Sequence, residues 1–225
     1  MTASRAGFNT GLRYGGEELL FGLCFGLCAM RIGMGLAPAV VMSIAAGGHL
    51  IELGFVHALS FGLSPYTPIL STILLALPNL PISRAIMRRI QKAPDTTKLL
   101  LAFRLDELSG GLLLRNKKQA GDPAFLAGCQ AALFLAQLLG TLIGCLAYQF
   151  LPPSLMRAAG FAFFCFFAQE TARKIAGSKA KSEKERYAPL LVLALSLLLA
   201  LLLSRWIPQG YSALPAMLIA AFAVG

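Results

Sequence analysis

The chain has 225 residues, of which 57% are hydrophobic and only 13% charged, and its mean hydropathy is +0.70. A water-soluble domain must cover itself with polar groups, so this composition excludes an ordinary soluble enzyme or binding module. The net charge of +10 would suit nucleic acid, but the basic residues stand in short connectors between long uncharged runs, the positive-inside pattern in which anionic lipid is the partner and nucleic acid is not.

Hydrophobic elements are predicted at 14–33, 36–60, 66–90, 98–114, 123–150, 154–173, 188–206 and 211–225. A helix needs roughly 20 residues to cross a ~30 Å hydrocarbon layer. The predicted fold is therefore all-α: a polytopic integral membrane helix bundle of about seven membrane elements, forming one transmembrane domain over 1–225. Met1 to Arg13 is small, polar and basic with no evident cleavage site, and reads as a retained cytoplasmic end.

The first element opens on Glu17 and Glu18, where a helix start would favour water-facing carboxylates. Gly22-x-x-x-Gly26 and, in the fifth element, Gly140-x-x-x-Gly144 place small residues one turn apart and predict close helix packing. Cys24, Cys28, Cys129, Cys145 and Cys165 lie in apolar stretches without paired C-x-x-C spacing, so they read as packing residues and no metal site is expected.

In the second element Gly47-Gly48 loosens the helix at its centre, and His49 and Glu52 follow three residues apart on one face. Imidazole and carboxylate can then point into one cavity, to shuttle a proton or hold an ammonium group; a structural pair joining two helices is the alternative. In the third element Pro78-Asn79-Leu80-Pro81 removes backbone donors and should interrupt the helix. Backbone left unpaired at membrane depth must face protein, water or solute, unless neighbouring helices satisfy a simple proline kink.

If every element crossed the membrane from a cytoplasmic N-terminus, the Arg84 to Lys98 connector would fall outside, against the charge rule. Broken or re-entrant helices near 36–60 and 66–90, together with a short 98–114 element that enters and returns, bring the basic groups to one side. Those groups are Arg5 and Arg13; Arg84, Arg88, Arg89, Lys92 and Lys98; Arg115, Lys117 and Lys118; and Arg173 to Arg186. Within 98–114, Arg104 is near enough to the element's end to snorkel and reads as an anchor, as do Arg31 and Glu170. Asp106 and Glu107 are adjacent, about 100 degrees apart on a helix, so one of them binds and the other anchors. No nucleophile elbow, zinc helix, P-loop or dinucleotide fingerprint occurs, so neither enzyme activity nor a cofactor is expected.

With its Phe21-Gly22-Leu23-Cys24-Phe25-Gly26 opening, the Met42-Ser43 lead into a small-residue run with Gly47, Asn79-Leu80, Leu101-Ala102-Phe103 before Asp106-Glu107, and Gly140-x-x-x-Gly144, the chain resembles the AzlC-type branched-chain amino acid permease family over nearly its whole length. The resemblance implies export of branched-chain or similar neutral amino acids from a bacterial cell, often with a small membrane partner of the AzlD type. The sequence departs from the family pattern at His49-Leu50, Pro81-Ile82, Gln137, and Glu17-Glu18.

A zwitterionic amino acid needs donors for its carboxylate and an acceptor for its ammonium. Backbone near Gly47, Gly48 and Asn79 is the candidate for the first, with Glu52, Asp106 or Glu107 for the second and His49 with Glu52 for proton coupling. The reading from another class is a non-catalytic membrane subunit that captures a solute or acts as a scaffold for a partner protein.

Overall fold

The computed structural model describes residues 2–46, 48–60, 62, 66–76, 80–105, 109–110, 112 and 121–152. Among them the chain is all-helical: α1 (Ala3–Arg31), α2 (Leu36–Ala45), α3 (His49–Ser60), α4 (Tyr66–Ala76), α5 (Leu80–Met87), α6 (Asp95–Phe103) and α7 (Pro123–Ala147), ending in a 3-10 turn at Tyr148–Phe150. The elements predicted at 154–173, 188–206 and 211–225 lie outside the described residues.

Two long helices form the frame. The start of α7 is set by Asp122, whose carboxylate accepts from the Ala124 N–H at 2.9 Å, with Pro123 in the first turn where its missing N–H does no harm. Gly7 of α1 lies on the Phe125 carbonyl, Gly11 on that of Cys129, Gly22 on that of Gln137 and Gly26 on that of Thr141. From the other side, Gly128 meets Ser4, Gly140 meets Leu19 and Gly144 meets Leu23. Residue numbers rise together along both helices, so α1 and α7 run parallel with their backbones in contact, the approach that small residues permit in lipid. We call the end holding Ala3 and Pro123 proximal and the other distal.

The predicted Gly22/Gly26 and Gly140/Gly144 motifs thus pack against each other. The element start predicted at residue 14 is corrected: α1 is already helical at Ala3. Gly7 and Gly11 weaken an isolated helix, but here they admit α7, and tertiary packing outweighs propensity. At the distal end Gly33 (φ 79°) and Gly35 (φ 81°) take the left-handed conformation that stops α1 and turns the chain into α2.

From there α2 and α3 form a hairpin that goes halfway down the frame and back. Ala39 packs with Phe25, Ala29 and Cys145 in the distal cluster, Ser43 reaches Thr141, and Ala46 lies opposite Arg104 at the level of Gln137. Glu52 meets Gln137 at the same level, and Leu53 and Val56 return to the distal cluster. The predicted interruption at Gly47-Gly48 falls where α2 ends, Ala46 having an extended backbone (φ −75°, ψ 133°).

α4 packs against α3, and the descent continues with α5 to the proximal end, where Ile86 and Ile90 share a cluster with Phe125 and Leu126 and contact Ala3 and Ala6. Pro78 and Asn79 lie outside the described residues; Pro81 stands in the first turn of α5. α6 then rises from the proximal end until Arg104 reaches Gln137, and the chain is back at the proximal end by Gly121, whose position faces the Arg89 carbonyl at 3.8 Å. Among the described residues, the α2–α3 hairpin thus enters from the distal end and α6 rises from the proximal end to meet it. The exposed Arg84, Arg88, Arg89 and Lys92 share the proximal end with Arg5; the basic groups predicted at 115–118 and 173–186 lie outside the described residues.

By length and composition, the described segment that can cross a membrane is Pro123–Phe150, with a mean hydropathy of 1.9. At 1.5 Å per residue α7 alone is about 37 Å long. Leu135, Leu139, Ile143 and Leu146 leave an exposed apolar stripe along it.

Candidate functional site

The α2–α3 hairpin and the end of α6 meet at mid-height of α7, where polar side chains stand beside the glycine seam. Gln137 is 2% exposed and Glu52 is 1% exposed. The Gln137 amide Nε2 donates to Glu52 Oε1 at 2.7 Å, while its Oε1 accepts from Arg104 Nη2 at 3.0 Å. Only this orientation of the amide satisfies a carboxylate on one side and a guanidinium on the other. Arg104 Nη1 donates to the Ala46 carbonyl at 2.7 Å and to that of Ser43 at 3.4 Å, and the guanidinium lies 4.2 Å from the centre of the Phe134 ring. Below it, Gln130 Nε2 donates to the Leu101 carbonyl at 2.9 Å and ties the top of α6 to α7.

One turn above Gln137, the Thr141 hydroxyl donates to the Gln137 carbonyl at 3.1 Å and sits 3.1 Å from Ser43 Oγ, which supplies the proton of that second bond. Ser43 and Thr141 are both fully buried.

The helix break explains why charges are placed here. At the C-terminus of α2 the carbonyl dipoles point at Arg104, and the N-terminus of α3 carries Glu52 in its first turn. A cation at a helix C-terminus and an anion at an N-terminus are both favoured. Interrupting one helix at mid-depth therefore creates two opposite poles side by side.

Of the predicted site residues, Glu52 lies in this cluster. Gly48 is buried just before α3, with its carbonyl accepting from the Glu52 N–H at 3.3 Å. His49 opens α3, and of it the backbone alone is described. Gly47, Asn79, Asp106 and Glu107 lie outside the described residues.

Two expectations are corrected. Arg104 is not a snorkelling anchor: its guanidinium turns inward, because the α2 carbonyls and Gln137 accept from it there. Glu18 is not at a helix entry, since α1 begins fifteen positions earlier at Ala3; it is 1% exposed, beside the contact of Leu19 with Gly140. Gln137, Ser43 and Thr141 were not foreseen as site residues. The signal for Gln137 was an amide near the middle of an uncharged run, with Gln130 two turns before it on the same face.

Compared with known proteins, residues 18–151 match the family described as AzlC protein, a narrower span than the near-complete likeness read from the sequence. No curated protein and no solved structure matches the chain. The matched span contains α2 to α7 and every residue of the cluster.

Proposed function

This chain belongs to the AzlC protein family, a transporter family associated with branched-chain amino acids, and from that premise we propose that it exports branched-chain or other small neutral amino acids, coupled to protons, across a bacterial plasma membrane. The observation that supports this reading is the meeting, at mid-height of α7, of the α2–α3 hairpin from the distal end with α6 from the proximal end, at a cluster where Arg104 and Glu52 flank Gln137. A solute held at such a junction can be reached from either end as the α2–α3 hairpin or α6 gives way, which is what alternating access requires.

The chemistry of the cluster suits a zwitterion. Glu52 accepts the ammonium, the carboxylate lies at the break beside Gly47 and Gly48, and His49 with Glu52 carries the coupling proton. Asn79, Asp106 and Glu107 complete the lining. The exposed stripe on α7 faces lipid, the basic proximal end faces the cytoplasm, and the chain forms a polytopic bundle of about seven membrane elements with a small AzlD-type subunit as partner.

The test is flux in a defined system. Full-length protein in liposomes should exchange labelled leucine, valine or methionine by counterflow without ATP, and an imposed pH gradient should drive accumulation. Binding without flux, with or without the small partner, would instead mark a capture subunit.

A further inference from the structure

The proton and the carboxylate have candidate positions above, but Arg104 has been given no task beyond structure. Its surroundings point to one. Gln137 presents an acceptor to Arg104 and a donor to Glu52, so a guanidinium and a carboxylate are held one carboxamide apart. An α-amino acid presents the same pattern over a comparable reach: its carboxylate accepts, its ammonium donates, and one carbon joins them. The amide of Gln137 is thus a neutral stand-in for the zwitterion.

We propose that Arg104 and Glu52 are the two poles of a zwitterion-binding pair, with Arg104 selecting the substrate's carboxylate, and that Gln137 and the Ala46 carbonyl occupy this pair until substrate replaces them. The assignment rests on the transporter reading and adds to it the residue that recognises the carboxylate. Three observations support it. The N-terminal pole of α3 already bears Glu52, so a second carboxylate at the break needs a cation nearby, and Arg104 Nη1 is 2.7 Å from Ala46, two residues from Gly48. Among the acceptors it holds there are a carboxamide and main-chain carbonyls, whereas a carboxylate offers a planar guanidinium two parallel hydrogen bonds and an opposite charge. The Phe134 ring lies against the guanidinium, a contact that favours keeping the cation at the junction while its acceptors change.

Exchange also has a mechanical consequence. Arg104 ends α6, which rises from the proximal end, and is bonded to Ala46 at the end of α2 in the distal hairpin. A substrate that takes the guanidinium from Ala46 removes that direct link between α6 and the α2–α3 hairpin and substitutes itself.

The experiment compares leucine, leucinamide, which lacks the carboxylate, and 4-methylpentanoate, which lacks the ammonium, as competitors of labelled leucine counterflow in liposomes holding the full chain. For the unaltered protein, leucine should compete at least about tenfold better than either analogue, a difference of about 1.4 kcal/mol. In Arg104→Gln the preference for leucine over leucinamide should fall below about threefold; in Glu52→Gln the preference over 4-methylpentanoate should fall instead. Arg104→Lys, which keeps the charge but loses the fork, should fall between. If Arg104→Gln does not yield folded protein by size-exclusion chromatography, Arg104→Lys is decisive, and an unchanged leucinamide discrimination in either folded variant overturns the proposal. Thermal stabilisation by the same three compounds separates the two readings: ligand-specific stabilisation that follows Arg104, without flux, contradicts transport but upholds the pair. Flux of leucine that is indifferent to Arg104 upholds transport and refutes the pair.

Discussion

The α1/α7 seam and the hairpin junction sit against each other on the same helices, yet they are held together by opposite means. Along the seam, glycines bring backbone onto backbone with no side chain between, and the described contacts run from Gly7 to Gly26. Close-packed interfaces of this sort resist even a methyl group. At the junction the helix is interrupted, the contacts are hydrogen bonds made by long side chains, and several acceptors compete for one guanidinium. Hydrogen bonds can be exchanged for others at small net cost, whereas a packed backbone contact has no substitute. One region is suited to being a fixed frame and the other to changing partners.

Substitutions should separate the two regions by the kind of damage they do. The largest effect is expected at the seam. Gly22→Leu or Gly140→Leu would drive a side chain into the Gln137 or Leu19 backbone, with a cost of at least about 3 kcal/mol, and should abolish a monodisperse peak in size-exclusion chromatography. A well-folded Gly22→Leu protein with ordinary thermal stability would mean that the seam is not a rigid frame. Next comes the junction itself. Glu52→Gln keeps the shape and a hydrogen-bonding group, so thermal stability in detergent should change by no more than about 1.5 kcal/mol, while leucine counterflow falls at least about tenfold, or 1.4 kcal/mol in barrier terms. Equal losses in stability and flux would make Glu52 a structural tie between α3 and α7 instead.

Which region could be read in advance follows the same division. The Gly22/Gly26 and Gly140/Gly144 spacings identify half of the seam because one-turn periodicity is local. Gly7, Gly11 and Gly128 escape notice because the first lie in a polar stretch that resembles a tail, and only packing on Phe125 and Cys129 makes it a helix. The hairpin at 36–60 was accessible through charge placement, a global constraint, together with Gly47-Gly48 as a local one. Arg104 was misread for a physical reason: near the end of an apolar element, a long cationic side chain can reach water or turn inward. Its acceptors decide the matter, and one of them, the Ala46 carbonyl, is 58 residues earlier in the chain. Glu18 was misplaced along with the start of α1. His49, Asn79, Asp106 and Glu107 keep the roles proposed for them without a described side-chain position.

The hairpin scheme can be broken by labelling. Cysteines placed at Arg5 and Lys92 should react with an impermeant maleimide from the same side of the membrane, and a cysteine at Gly62, beyond the return of α3, should react from the opposite side. Reaction of positions 5 and 92 from opposite sides would mean that the α2–α3 segment crosses instead of returning to the distal end.

The smallest effects sharpen the contrast within single helices. Ser43→Ala removes the bond to Thr141, yet Thr141 keeps its own acceptor in the Gln137 carbonyl, so the loss should be near 1 kcal/mol. Gly16 is the informative control in α1: it lies one residue from Gly15 of the seam, but its own position is open, with nothing within 4 Å of where a Cβ would stand. Gly16→Ala adds a methyl group on the outer face and improves helix propensity, so thermal unfolding should show a gain of up to about 1 kcal/mol. At Gly11, on the seam, the same methyl would meet the Cys129 carbonyl and must destabilise. If both alanines had the same sign, the glycines of α1 would be acting through intrinsic helix propensity alone, and the parallel contact with α7 would not be what positions the junction.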